Sequence, residues 1–181
     1  SFGGMNRINF NAEGYTVNPV IISPERKKLL NRNLMLFFTG FSRFSSDIQV
    51  AAEKNLKSKQ NQLLEMLSLV DDAEKILTSK TDLEEFGRLL DYTWQLKRGI
   101  TDKVSTDSID AVYSRALQAG ATGGKLLGAG GGGFLLFYVD PDKQENVRKA
   151  LENLLYVPFE FENGGTRVIH YTPESYEPVN A

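Results

Sequence analysis

The sequence has no cysteine and a single histidine, His170, among 181 residues. The first absence excludes disulfides and thiolate metal sites, and the second argues against a histidine-built metal centre. We expect no metal ligand set in this chain. No apolar run approaches the roughly 18 residues that a membrane-spanning helix needs. No signal-peptide pattern is visible, so a cytoplasmic protein away from membranes is expected. A strong charge of one sign is also missing. The 21 basic and 23 acidic residues leave a net charge of -2, and nothing global attracts nucleic acid. The chain opens Ser1-Phe2-Gly3-Gly4 without an initiator methionine and runs straight into strand-like sequence. That reads as an entry into the middle of a fold.

What is present suits a protein with an ordinary core: 41% hydrophobic and 24% charged residues. Met5–Phe10 and Tyr15–Ile22 lean toward strands around the turn residues Asn11 and Gly14, a hairpin pattern. Ser23-Pro24-Glu25 starts a turn or one helical turn. The continuous apolar run 33–39 predicts a strand buried on both faces. Apolar residues recur at three- and four-residue spacings over about 46–78, with the polar stretch Lys57–Asn61 as an exposed face or a break. Further helices are predicted from Thr81 to near Gly99, over 105–119, and from Pro141 to about Asn153. Phe134–Val139 reads as a strand, and Val157–Phe161 with Thr166–Tyr171 as a closing hairpin. The tail from Thr172 is expected to be extended. This order suits an α+β domain, an antiparallel sheet covered by helices.

The densest signal is Gly128-Ala-Gly-Gly-Gly-Gly133, set between a helix-like segment and the strand Phe134–Val139. Such a block bares backbone N–H groups and removes every Cβ that would keep another group away. It suits close packing of a second backbone segment or close approach of a phosphate. Gly128, Gly130 and Gly133 formally satisfy G-x-G-x-x-G, but the dinucleotide fingerprint needs a strand before and a helix after. The order read here is the reverse. A phosphate-binding G-K-[ST] loop fails because Leu126 follows Lys125.

Gly123 to Gly133 followed by Phe-Leu-Leu-Phe resembles the third, C-terminal motif of the GHMP kinases, the galacto-, homoserine, mevalonate and phosphomevalonate kinases. Within that superfamily, three features look like the D-glycero-D-manno-heptose 7-phosphate kinase group. These are Thr39-Gly40-x-Ser42-Arg43, Trp94-x-x-Lys97-Arg98, and Ala119-Gly-Ala-x-Gly-Gly-Lys-Leu-Leu-Gly128. The opening Phe2-Gly3-Gly4-Met5-Asn6 is also similar to that group's sequence.

The resemblance implies a two-lobed sugar kinase using ATP and Mg2+ on a sugar phosphate. Residues 1–32 would be remnant strands of the N-terminal domain. Residues 33–175 would be a ferredoxin-like C-terminal domain, and 176–181 a tail. The phosphate-wrapping Gly-Ser-Ser loop and the usual catalytic aspartate are not in this sequence. No catalytic residue is therefore assigned here, the chain alone is expected to be inactive, and its own N-terminal lobe is an expected partner.

The resemblance also orders the candidate site residues. Gly128, Gly130, Gly131, Gly132 and Lys125 are candidates for the ATP phosphates. Arg43, Lys97 and Arg98 are candidates for the sugar phosphate, as basic side chains are for any phosphate. Each has a plainer reading: Lys97 and Arg98 end a helix, where cations offset the helix dipole. Arg43 could be a surface arginine and Lys125 a solvated one. Asp47, Asp102 and Asp107 read as capping or loop residues and Trp94 as core. His170 is assigned no chemistry. Two other functions remain open: another GHMP sugar 1-kinase, acting on fucose, galactose or an aminohexose, or a non-catalytic regulatory module whose glycine block only packs.

Overall fold

The computed structural model describes residues 2–40 and 45–172; the side chains of residues 45–47 and 49 are outside the description. The described backbone separates into two compact units, one drawn from residues 2–20 and 161–172, the other from 21–40 and 45–160.

In the first unit, β1 (Asn6–Asn11) and β2 (Gly14–Pro19) pair antiparallel, with Asn11 opposite Gly14. The side chain of Asn11 accepts the Glu13 N–H at 2.9 Å, so the turn forms as its Asn and Gly predict. The segment around Asn163–Gly165 belongs to the same unit. The Gly4 N–H donates to the Glu162 carbonyl at 2.8 Å, and a Cβ on Gly3 would lie 2.4 Å from Gly164. The expected closing hairpin is corrected here, since residues 157–172 contain no strand. Their glycine turn is held by residues 3 and 4 instead of by a strand partner of its own.

The second unit opens with α1 (Pro24–Asn33), a full helix where one turn was expected. Ser23 caps it by accepting the Arg26 N–H at 3.2 Å, and Pro24 takes the first helical position. The sequence-drawn boundary at residue 32 falls inside this helix. The run to Phe38 forms β3 (Leu34–Phe38). Then come α2 (Ser45–Asn55) and α3 (Gln60–Thr78), so the polar stretch is a break. Asn55 closes that break by donating to the Ile100 carbonyl at 2.9 Å. Arg26 caps the end of α3, donating to the carbonyls of Ile76 at 2.6 Å and Leu77 at 2.9 Å.

Two strongly amphipathic helices follow, α4 (Glu84–Arg98) and α5 (Asp107–Gln118), the latter capped by Thr106. They pack against the hairpin of β4 (Ala121–Leu126) and β5 (Phe134–Val139). The chain continues through α6 (Gln144–Ala150) to the two-residue β6 (Leu155–Tyr156). The sheet order is β4-β5-β3-β6, antiparallel throughout. The fold is α+β, as the sequence predicts.

The core alternates along the strands. Met35 and Phe37 of β3 face Phe137 and Leu135 of β5 in register, and all four are buried. Trp94, Ile109, Val112, Tyr113 and Ala116 of α4 and α5 join them. The helices approach closely because β4 carries glycine: a Cβ on Gly123 would stand 2.1 Å from the Gly87 carbonyl of α4.

Candidate functional site

The glycine block is the turn of the β4–β5 hairpin. The Leu127 N–H donates to the Phe134 carbonyl at 2.8 Å and closes the ladder just outside it. A strand, β4, therefore precedes the block where a helix-like segment was expected. The dinucleotide fingerprint still fails, since a strand and not a helix follows. Gly128, Gly130, Gly131 and Gly133 have φ of 77, 126, 72 and 99°. A Cβ in the left-handed region costs about 1–2 kcal/mol per residue, so this turn requires glycine.

Three neighbours hold the turn. At its exit, Thr39 is bonded to Gly133 through both main chain and hydroxyl. In its middle, the Gly131 N–H donates to the Val104 carbonyl at 2.9 Å. A Cβ on Gly130 would lie 2.7 Å from that same carbonyl oxygen. At its entry, the Lys97 ammonium donates to the Gly128 carbonyl. Packing thus explains part of the block. The remainder is chemically open: no acceptor among the described residues takes the N–H of Gly128, Ala129, Gly130 or Gly132.

Lys97 ends α4 and Lys125 lies in β4, both half-buried. Burial pushes Lys97 down to about 8, helped by the charge of Lys125. Burial also lowers Lys125. Two neighbouring cations with weakened hold on their protons, one of them bonded to the turn through the Gly128 carbonyl, form an environment that an anion would relieve.

The structure therefore brings Lys97, Lys125 and the hairpin glycines together. Arg98 is elsewhere. It bonds Asp110 of α5 and, at 3.2 Å, the Gln95 side chain, while Asp110 also accepts from Ser105 at 2.6 Å. This network ties the end of α4 to the start of α5. Arg43 lies outside the described residues.

Thr39 and Val104 were not singled out as anchors of the turn. Val104 contributes only a carbonyl, which no side-chain pattern could signal. A further support was missed in the same way. The Tyr113 hydroxyl donates to Asp91 at 2.6 Å and accepts the Gly124 N–H at 3.1 Å, fixing β4 to α4 and α5. Burial and the Asp91 carboxylate raise the Tyr113 phenol above its usual range. Among the described residues no three Asp, Glu or His side chains gather into one cluster.

A lysine-flanked glycine turn joining two strands of an α+β sheet has known relatives. Residues 69–157 match the family described as GHMP kinases C terminal. The D-glycero-alpha-D-manno-heptose 7-phosphate kinase of Campylobacter jejuni is 34% identical over 83% of this chain and 45% of its own length. A solved D-glycero-D-manno-heptose 1-phosphate kinase from Bacteroides thetaiotaomicron is 26% identical, covering 91% of this chain and 44% of that one, with a TM-score of 0.56. The fold also matches L. major mevalonate kinase at a TM-score of 0.68 and 19% identity, over 86% of this chain and 48% of that one. This chain carries a GHMP kinase C-terminal domain. It spans less than half the length of the curated relatives it matches, 45% of the heptose 7-phosphate kinase and 37% of a mevalonate kinase.

Proposed function

We propose that this chain is the C-terminal part of an ATP-dependent sugar kinase, and that the turn from Gly128 to Gly132 borders the nucleotide's phosphates. The observation that carries this reading is a turn that bears four N–H groups without acceptors among the described residues and is bonded by Lys97, with the charge of Lys125 close to Lys97. Phosphoryl transfer depends on positioning and on countering charge at the phosphate oxygens. ATP, when bound, supplies the phosphoryl group. From this chain, the free N–H donors and the Lys125 ammonium would hold phosphate oxygens, and Lys97 would keep the turn in place.

The substrate we assign is the anomeric hydroxyl of D-glycero-D-manno-heptose 7-phosphate. The 34% identity to a heptose 7-phosphate kinase supports it. Arg43 keeps its assignment to the sugar phosphate, whereas Arg98 serves foremost to join α4 to α5. The group that orients the sugar hydroxyl and the ligands for Mg2+ belong, on this reading, to the rest of the protein. The β1–β2 hairpin supports such a division. Ile8, Phe10 and Tyr15 are exposed on it, and a two-stranded hairpin is marginal in water unless something covers it.

The test is ADP release by the intact protein with heptose 7-phosphate, fucose, galactose and mevalonate. Turnover only with the heptose phosphate is expected, and none from the 181-residue chain alone. Turnover of fucose or mevalonate instead would move the protein to a neighbouring GHMP activity. Binding of ATP with no sugar or mevalonate accepted would defeat the proposal.

A further inference from the structure

The hairpin's anchors are unequal. Thr39 and Val104 hold its exit and middle with neutral groups. Its entry corner, Gly128, is exposed, and a Cβ there would meet nothing within 4 Å. Its carbonyl is bonded by one side chain, that of Lys97 from 31 positions earlier in the chain.

The charges around Lys97 leave it without a counter-ion among the described residues. On its own helix, Arg98 is occupied by Asp110 of α5, and Asp91 by Tyr113 and Gln95. On α3, Glu65 accepts from Tyr92, and the uncharged Gln62 donates to the Leu96 carbonyl. On β4 the facing charge is Lys125, which repels it. A charged ammonium is kept half-buried at a cost, and the return is a bond to a carbonyl that no other donor among the described residues holds. A charged donor makes a stronger bond to a carbonyl than a neutral amine does.

We propose that Lys97 is a positioning residue that latches the entry of the glycine hairpin through the Gly128 carbonyl, and that the latch engages when its amine is protonated and slackens when it is neutral. Its consequence for phosphate handling rests on the function proposed above; the latch itself does not. A phosphate at the hairpin would favour the ammonium, so binding there would take up a proton and weaken as Lys97 loses its charge.

The test is a 1H–15N titration of the hairpin amides across about pH 6.5 to 9.5 in wild-type protein, Lys97→Met and Lys97→Arg. The wild-type amides of Gly128 to Gly132 should move together with a midpoint near pH 8. Lys97→Met should abolish that step. Lys97→Arg, which stays charged, should hold the low-pH positions throughout. Lys125→Met should raise the midpoint by removing a repelling charge. Methyl signals of Val112 and Leu135 report whether each variant is folded, and Lys97→Arg carries the test if Lys97→Met is not. Wild-type amides that stay still, or a step that survives in Lys97→Met or in Lys97→Arg, would overturn the latch.

A second arm adds inorganic pyrophosphate. The ratio of wild-type to Lys97→Arg affinity, which cancels the ionisation of pyrophosphate itself, should fall about tenfold between about pH 7 and 9, following the charge lost from Lys97. A pH step with no response to pyrophosphate would support the latch and count against the phosphate-facing role. A pyrophosphate response without a pH step would keep that role and overturn the latch.

Discussion

Thr39 and Gly133 are joined by three hydrogen bonds. The Thr39 N–H and hydroxyl both donate to the Gly133 carbonyl, at 2.8 and 2.9 Å, and the same hydroxyl accepts the Gly133 N–H at 3.1 Å. The end of β3 thereby clamps the exit of the glycine turn across the sheet. Thr39 is itself buried, and its hydroxyl bonds to Gly133 are partly sheltered from water.

Thr39→Val keeps the shape and loses the hydroxyl. The Gly133 N–H then lacks its acceptor, at a cost of about 2 kcal/mol. Urea denaturation should show that loss. Native-state hydrogen exchange should show Gly133 protection falling more than that of β5 residues such as Phe137.

Gly123→Ala should be far more damaging than its one methyl suggests. The new Cβ would stand 2.1 Å from the Gly87 carbonyl, so α4 and β4 must part. We expect a loss of about 3 kcal/mol, read as a lower urea midpoint with an unchanged slope.

Gly128→Ala separates folding from function. Its Cβ meets nothing within 4 Å, so the cost is the left-handed strain at φ 77°, about 1 kcal/mol. On the function proposed above, turnover by the intact protein should fall by a much larger factor than this strain accounts for. Gly131→Val is a poorer probe, because Gly131 is buried, has φ of 72° and donates to Val104.

Stability should depend on pH through Lys97 in a defined direction. Its folded value, about 8, lies below the ordinary 10.5. Between the two, the unfolded chain holds a proton that the folded chain has released. Stability from this group is therefore present at high pH and lost as pH falls through 8. Lys97→Met should be more stable than wild-type near neutral pH, and the gap in urea midpoint should close toward about pH 10. Tyr113 acts oppositely. Its raised value contributes stability below the ordinary 10.0 that is lost at higher pH.

Much of the fold was legible in contiguous residues. The apolar runs of β3 and β5 and the three- and four-residue spacings of α4 and α5 appear as strands and helices where expected. β4 was hidden because Ala-Thr-Gly-Gly-Lys-Leu has little strand propensity. Its glycines answer to α4 lying against them, which the local sequence does not display. α1 was hidden because, in Pro-Glu-Arg-Lys-Lys-Leu-Leu-Asn-Arg-Asn, only Leu30 and Asn33 are buried.

The sequence by itself determined the helix and strand periods, the absence of cysteine chemistry, and a glycine block whose order carries a family likeness. It could not separate Lys97 from Arg98, two adjacent cations at one helix end. Only the tertiary structure decided between them: neighbours on a helix point about 100° apart, and here one meets the Gly128 carbonyl while the other meets Asp110. Periodicity is a property of consecutive residues, whereas the partner of a side chain is set by where distant segments come to pack.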